Sequence, residues 1–244
     1  MRGIYHVGVL DALTRAGMRP TEICGCSAGA IIGALFAAQE EPDAAQLLRD
    51  TRLRSLVGLS ATGTGMLSTA RLETFLRERL PTNIEDLRLP VVINATDMVT
   101  GEEVVFRTGP LVPALLASSA IPGIFPLVEV DGRYLADGGV VNNLPVCLAR
   151  ERTIIASDVT FPIRKVDRTS WKTNIVANAL FIGIHVGVRR SIQEVTRAGK
   201  RLHVLRCHSP VFGGDLRETQ QKALFAQGQK DGKKLVRELR KRAK

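Results

Sequence analysis

Two short stretches carry residue types that could do chemistry: a serine within Gly25-Cys26-Ser27-Ala28-Gly29, and an aspartate that opens Asp137-Gly138-Gly139. The serine follows the apolar pair Ile23-Cys24 and precedes an Ala/Ile/Leu/Phe run ending at Phe36, which reads as strand, sharp turn and buried helix. A nucleophile at the apex of such a turn sits in strained backbone, so its neighbours must be small; Gly25, Ala28 and Gly29 meet that demand. The turn also puts the hydroxyl at a helix N-terminus, where unpaired N–H groups favour developing negative charge. The Ala28 N–H is then placed to serve as an oxyanion donor. The same five residues also fit a glycine-rich helix start with no chemistry, so the reading depends on a partner for Ser27.

Asp137 is the candidate partner. Val128–Val130 and Arg133–Leu135 flank Asp131-Gly132, a strong hairpin signal, and Asp137 falls at the end of the second strand. Gly138 and Gly139 let backbone and substrate approach the carboxylate closely. An ordinary turn aspartate has the same local sequence, so the two stretches must be judged together. A Ser–His–Asp triad is available in chain order from Ser27, Asp137 or Asp158, and His203 or His208. That fold, however, places several strands before its serine, and here there is room for none or one. His6 lies on the first helix and reads as a packing residue. Cys24 and Cys26 read as reduced, small packing residues. No Cys/His spacing suits a metal, and no cofactor is expected. The glycine-rich segment Gly58–Gly65 lacks the Lys-Ser/Thr ending of a nucleotide loop and reads as a connection or lid.

These residues need a scaffold of alternating strands and helices. Apolar spacing predicts a helix over residues 3–16, ended by Gly17 and Pro20. An amphipathic helix follows over Arg71–Leu80. Strands are predicted at Pro90–Thr96, Glu102–Arg107, Arg152–Asp158 and Lys200–Cys207, and helices at Pro110–Ser119, Ile175–Val195 and 217–244. Ala120–Pro126 is an apolar, proline-fixed loop suited to line an acyl pocket. The order implies a three-layer α/β/α sandwich on a mostly parallel central sheet, interrupted by one hairpin. Residues 1–215 form the main domain, and residues 216–244 a basic C-terminal helix packed on it or extending from it.

The chain has 244 residues, 34 Lys/Arg against 24 Asp/Glu, and a net charge of +10. From Lys230 onward, eight Lys/Arg stand against Asp231 and Glu238, so this tail supplies +6. Such a balance favours anionic partners. Nucleic acid is not expected, because one Trp and two Tyr give no stacking platform. Leu235, Val236 and Leu239 lie between the tail's charges, so the helix could rest on an anionic membrane; a solvated helix end fits equally well. Ile175–Val188 is too short to span a bilayer and reads as a buried helix. Met1-Arg2 leads into a mixed segment without the pattern of a signal peptide. The expected location is the cytoplasm, peripherally on the inner face of the membrane. The oligomeric state is open.

Taken together, Gly25-x-Ser27-x-Gly29, Asp137-Gly138-Gly139, Ala117–Pro126, Asp137–Pro145 and Arg2-Gly3 resemble the patatin-like phospholipases, most closely the bacterial single-domain branch, over roughly residues 2–160. The resemblance implies a metal-free Ser27–Asp137 dyad, with Ser27 as nucleophile and Asp137 as general base, acting on acyl esters of lipids. It also implies an oxyanion hole from a glycine-rich loop, of which Arg2 and Gly3 match the end, together with Ala28. The family's first strand and the rest of that loop are not matched by this sequence, so either the true start lies upstream or the protein as written is weakly active or inactive. Losing an oxyanion donor costs on the order of 10²–10³ in rate. The alternative implied is therefore a non-catalytic lipid- or membrane-binding relative with an incomplete oxyanion hole.

Overall fold

The computed structural model describes residues 2–40, 47, 58–59, 67–163, 171–209 and 218–242. The segment 58–65, read as a connection or lid, lies mostly outside them. The described elements run α1 (Ile4–Arg15), β1 (Ile23–Gly25), α2 (Ala28–Ala37), β2 (Gly58–Leu59), β3 (Leu67–Ser68), α3 (Ala70–Arg77), β4 (Val91–Asp97), β5 (Glu103–Phe106) and α4 (Leu111–Ser118). They continue with β6 (Val128–Val130), β7 (Arg133–Asp137), α5 (Gly139–Asn142), β8 (Thr153–Asp158), α6 (Trp171–Arg197), β9 (Arg201–Arg206) and α7 (Glu218–Arg242).

Strand β4 is the axis. All seven of its residues are buried, the polar Asn94, Thr96 and Asp97 included, as expected of a central strand covered on both faces. One edge pairs with β5 through Ile93–Thr96. The other edge is shared: β1 runs parallel along Val91–Ile93, and β7 runs antiparallel along Ala95–Asp97. The β6–β7 hairpin forms around Asp131 and Gly132, both at positive φ, the conformation that an Asp-Gly turn favours. Strands β8 and β9 form a separate parallel pair. The strand directions are therefore mixed rather than mostly parallel. Short turns such as Met98–Glu102 and Asp131-Gly132 can only reverse the chain, and only the helical crossovers leave parallel neighbours.

Helices cover both faces, giving the three layers. Val91 and Ile93 of β4 join α2, α3 and α4 in the largest apolar cluster, while Asn94 turns the other way and donates to the Asn142 carbonyl of α5. On β8, Ile154 and Ala156 pack towards α6, and Ile155 packs with α1 and α7.

Helix α7 is docked along α1. A Cβ on Gly228 would fall 2.3 Å from the Tyr5 carbonyl oxygen, and one on Gly8 2.2 Å from that of Phe225, so the backbones touch where both lack side chains. Tyr5 donates its hydroxyl to Asp231 at 2.8 Å, Gln229 donates to Asp11 at 2.6 Å, and Arg240 donates to the Ala16 carbonyl. Leu235 and Val236 are buried. The tail's apolar residues are thus engaged by the protein itself, and its exposed surface is the basic one.

Candidate active site

Ser27 stands between the last residue of β1 and the first of α2 with φ 52° and ψ −123°, the strained elbow its neighbours predicted. The turn is possible because Gly25 lacks a side chain: a Cβ there would lie 2.6 Å from the Ala30 backbone. The Gly29 N–H donates to the Cys26 carbonyl, and those of Ala30 and Ile31 donate to the Ser27 carbonyl. Among the described residues the Ala28 N–H has no acceptor. Gly3 lies against the elbow, its Cβ position 3.2 Å from the Ala28 methyl and 2.7 Å from Ile32 Cδ1. The N-terminal ends of α1 and α2 therefore meet beside Ser27.

Asp137 ends β7, and the shared edge of β4 aims that end at the elbow. It is 7 % exposed. Its Oδ1 accepts the Gly139 N–H at 2.7 Å and the Cys26 thiol at 3.7 Å, and its own backbone is fixed by Ala120 and by the Thr96 hydroxyl. A Cβ on Gly139 would come 2.9 Å from Oδ1, so this glycine leaves the space the carboxylate occupies. Burial pushes the Asp137 carboxyl above its usual range, and hydrogen bonds from the Ser27 side chain, Gly139 and Cys26 offset part of the rise. Desolvation disfavours the charge, and donors to the carboxylate favour it.

Ser27 and Asp137 both line a cavity of about 600 Å³. Its walls include Ile23 and Gly25 of β1, Ile155 of β8, Ile121 and Pro122 of the proline-fixed loop, and Phe181 of α6. That loop was expected to line a pocket, and it does. Two groups were not foreseen as site residues. Ser118, fully buried, accepts the Ser27 N–H on its hydroxyl at 2.8 Å; the signal for it was a polar residue ending the apolar helix Leu111–Ser118. Cys26, read as packing alone, also touches the carboxylate.

Arg2, the other expected anion contact, is 4 % exposed. Its two terminal nitrogens donate to the carbonyls of Thr160 and Cys207, and its guanidinium lies 5.1 Å from the centre of the Phe161 ring. Among the described residues its Nε is buried without a partner. His6 also lines the cavity, and its Nδ1 is 2.7 Å from the Ser157 hydroxyl. Burial lowers its pKa from 6.5 to about 4, so the ring is neutral. The triad alternatives stand elsewhere: Asp158 accepts the Thr160 N–H and faces Arg206 at 3.6 Å, and neither His203 nor His208 lines the cavity. Among the described residues no group of His, Cys, Asp and Glu could hold a metal ion.

The family model for patatin-like phospholipase matches residues 1–150. An uncharacterised NTE family protein of Mycobacterium tuberculosis is 38% identical over 149 residues, which are 59% of this chain and 41% of that protein. Human patatin-like phospholipase domain-containing protein 6 is 34% identical over 173 residues, 65% of this chain and 12% of that protein. The chain thus spans less than half the length of either relative. Among solved structures, VipD from Legionella pneumophila superposes with a TM-score of 0.55 over 97% of this chain and 65% of its own, at 13% identity, a likeness of fold. With a family model covering well over half of its residues, the chain belongs to the patatin-like phospholipase family.

Proposed function

We propose that the protein is a serine acyl hydrolase that cleaves carboxylic esters of lipids, phospholipids or lysophospholipids, through an acyl-enzyme on Ser27. The observation that carries this reading is the meeting of a strained serine and a buried carboxylate of raised pKa in one largely apolar cavity. The Ser27 hydroxyl gives its proton to Asp137 as Oγ attacks the ester carbonyl. Collapse of the tetrahedral intermediate expels the alcohol, which takes that proton from Asp137. Water then enters, passes a proton to Asp137 and releases the fatty acid, and Ser27 regains its hydrogen.

The Ala28 and Gly3 N–H groups are assigned to the oxyanion, with Arg2 as the cation that holds Gly3 against the elbow. Gly25 and Gly29 shape the turn, Gly139 gives the carboxylate its room, and Gly138 lets the backbone after Asp137 lie against Asn94. The protein is assigned to the cytoplasm as a peripheral protein. Among the described residues no helix is long and apolar enough to cross a membrane. The basic face of α7 adds attraction for anionic lipid.

A second reading is a lipid-binding relative that does not turn over. It is favoured by the Arg2 guanidinium, whose terminal nitrogens are spent on protein carbonyls. A fluorophosphonate probe separates the two, since it reports an activated serine without requiring the right lipid. Labelling of the protein that is lost in Ser27→Ala supports the hydrolase. A folded protein that resists the probe overturns it in favour of the binder.

A further inference from the structure

Helix α6 has no charged residue between Thr173 and Val188, and its sequence asks for burial on every side. It receives burial on one. Leu180, Phe181 and Ile184 face inward and line the cavity that holds Ser27. Ile175, Ile182 and Val186 are 51 %, 49 % and 51 % exposed, and Ala179 and Gly183 are exposed with them. Positions 175, 179, 182 and 186 follow the i, i+4, i+7, i+11 spacing of one helical face, so they form an apolar stripe about 17 Å long. The stripe ends in two exposed arginines, Arg189 and Arg190, the second paired with Glu194 one turn on at 2.9 Å. Eight residues ahead of the helix in sequence, Ile163 is 48 % exposed.

We propose that this outer face of α6 is the surface by which the protein docks on a phospholipid bilayer, with the stripe in the acyl boundary and Arg189 and Arg190 among the headgroups. The inference rests on the reading of the cavity as an acyl-ester site. Three observations select a membrane as the occupant. An apolar stripe that runs into arginines matches the layering of an anionic lipid surface, apolar within and charged above. The fourteen-residue apolar run is too short to cross, so the helix lies along the surface. The same helix presents Leu180, Phe181 and Ile184 to the cavity that holds Ser27, so one element joins the docking face to the site. The Leu235 and Val236 side chains of α7 cannot supply this contact, because they are buried; α7 contributes charge alone.

The test is co-sedimentation of the Ser27→Ala protein with vesicles of phosphatidylcholine and phosphatidylglycerol, so that binding is read without turnover. Ile182→Asp with Val186→Asp should lower partitioning at least tenfold, while circular dichroism and thermal midpoint stay unchanged. In the Ser27 background the same pair should leave fluorophosphonate labelling and hydrolysis of a water-soluble short-chain ester intact and remove hydrolysis of vesicle lipid. Vesicle binding by the parent that survives the double substitution overturns the proposal, as does a parent that does not bind vesicles. So does a parent dimer that the substitutions convert to monomer without changing vesicle binding, which would make the stripe a contact between copies. If labelling and ester hydrolysis are absent while the substitutions still abolish vesicle binding, the hydrolase reading fails and the docking surface stands.

Discussion

Gly25 and Asp137 are held two residues apart on the same edge of one strand: Gly25 lies opposite Ile93 and Asp137 opposite Ala95 of β4. β1 runs parallel to β4 and β7 antiparallel, so their C-terminal ends point at each other. The serine that follows Gly25 by two residues and the carboxylate that ends β7 are brought together by the register of β4, with no loop required to carry either. A site on paired strands is positioned more rigidly than one on loops.

The first consequence concerns stability. Asp137 has a carboxyl pKa raised by burial. A group whose folded pKa lies above its unfolded value contributes stability that is fully present below the unfolded pKa and lost as pH rises through the folded pKa. Ionising the buried carboxylate as pH rises therefore costs stability. Asp137→Asn should abolish fluorophosphonate labelling and yet raise the thermal midpoint at pH 7. The gain should shrink towards pH 4, which scanning calorimetry across that range would show. A fall in midpoint at neutral pH would contradict this account of the site.

The same shift sets the pH dependence of the proposed reaction. As general base, Asp137 must be ionised, so the acidic limb of kcat/KM for a short-chain ester should fall above the usual carboxylate range near 4. Cys26→Ala removes one hydrogen bond to the ionised carboxylate and should move that limb further towards neutrality. A limb at or below pH 4 in the parent would assign proton transfer to another group.

Much of this arrangement was legible in the residues. Gly25 through Gly29 announced the elbow because only small side chains tolerate the approach of α2, and Asp131-Gly132 announced the hairpin that ends in Asp137. The sharing of one β4 edge by β1 and β7 was not legible, because register is fixed by long-range pairing and not by any local pattern. The covering of α6 was misjudged for a related reason: composition says that the helix must be buried, but not by what. Leu235 and Val236 were open to membrane or protein because their spacing fits either, and the glycines at 8 and 228 that decide it lie 220 residues apart.

Ser118 tests the support beneath the nucleophile. Its fully buried hydroxyl accepts the Ser27 N–H, and removing it leaves that donor without its partner inside the protein. Ser118→Ala should destabilise by about 1 kcal/mol in urea unfolding, the net worth of one hydrogen bond whose half-buried donor water can reach through the cavity. It should also slow labelling of Ser27 at pH values where Asp137 is fully ionised. Ser118→Thr keeps the hydroxyl and should restore labelling more than stability, because the added methyl must be packed. Equal labelling in parent and Ser118→Ala would mean that the elbow holds its own geometry.

His6 should make the protein sensitive to acid. Burial, aided by Arg2 and opposed by Asp158, lowers its pKa from 6.5 to about 4, and its Nδ1 is paired with the Ser157 hydroxyl. A group whose folded pKa is depressed contributes stability present above the unfolded value and lost as pH falls through the folded one. Between pH 6.5 and pH 4 the unfolded chain takes a proton that the native ring resists, and stability should drop by on the order of 3 kcal/mol. The loss is smaller to the degree that water reaches the ring through the cavity. His6→Asn keeps a polar partner for Ser157 and cannot titrate, so its stability should change less over the same range even though its neutral-pH midpoint is lower. Urea unfolding of both proteins at pH 7 and pH 4.5 reads the difference. Parallel losses would place the acid sensitivity in other groups and leave His6 as a packing residue alone.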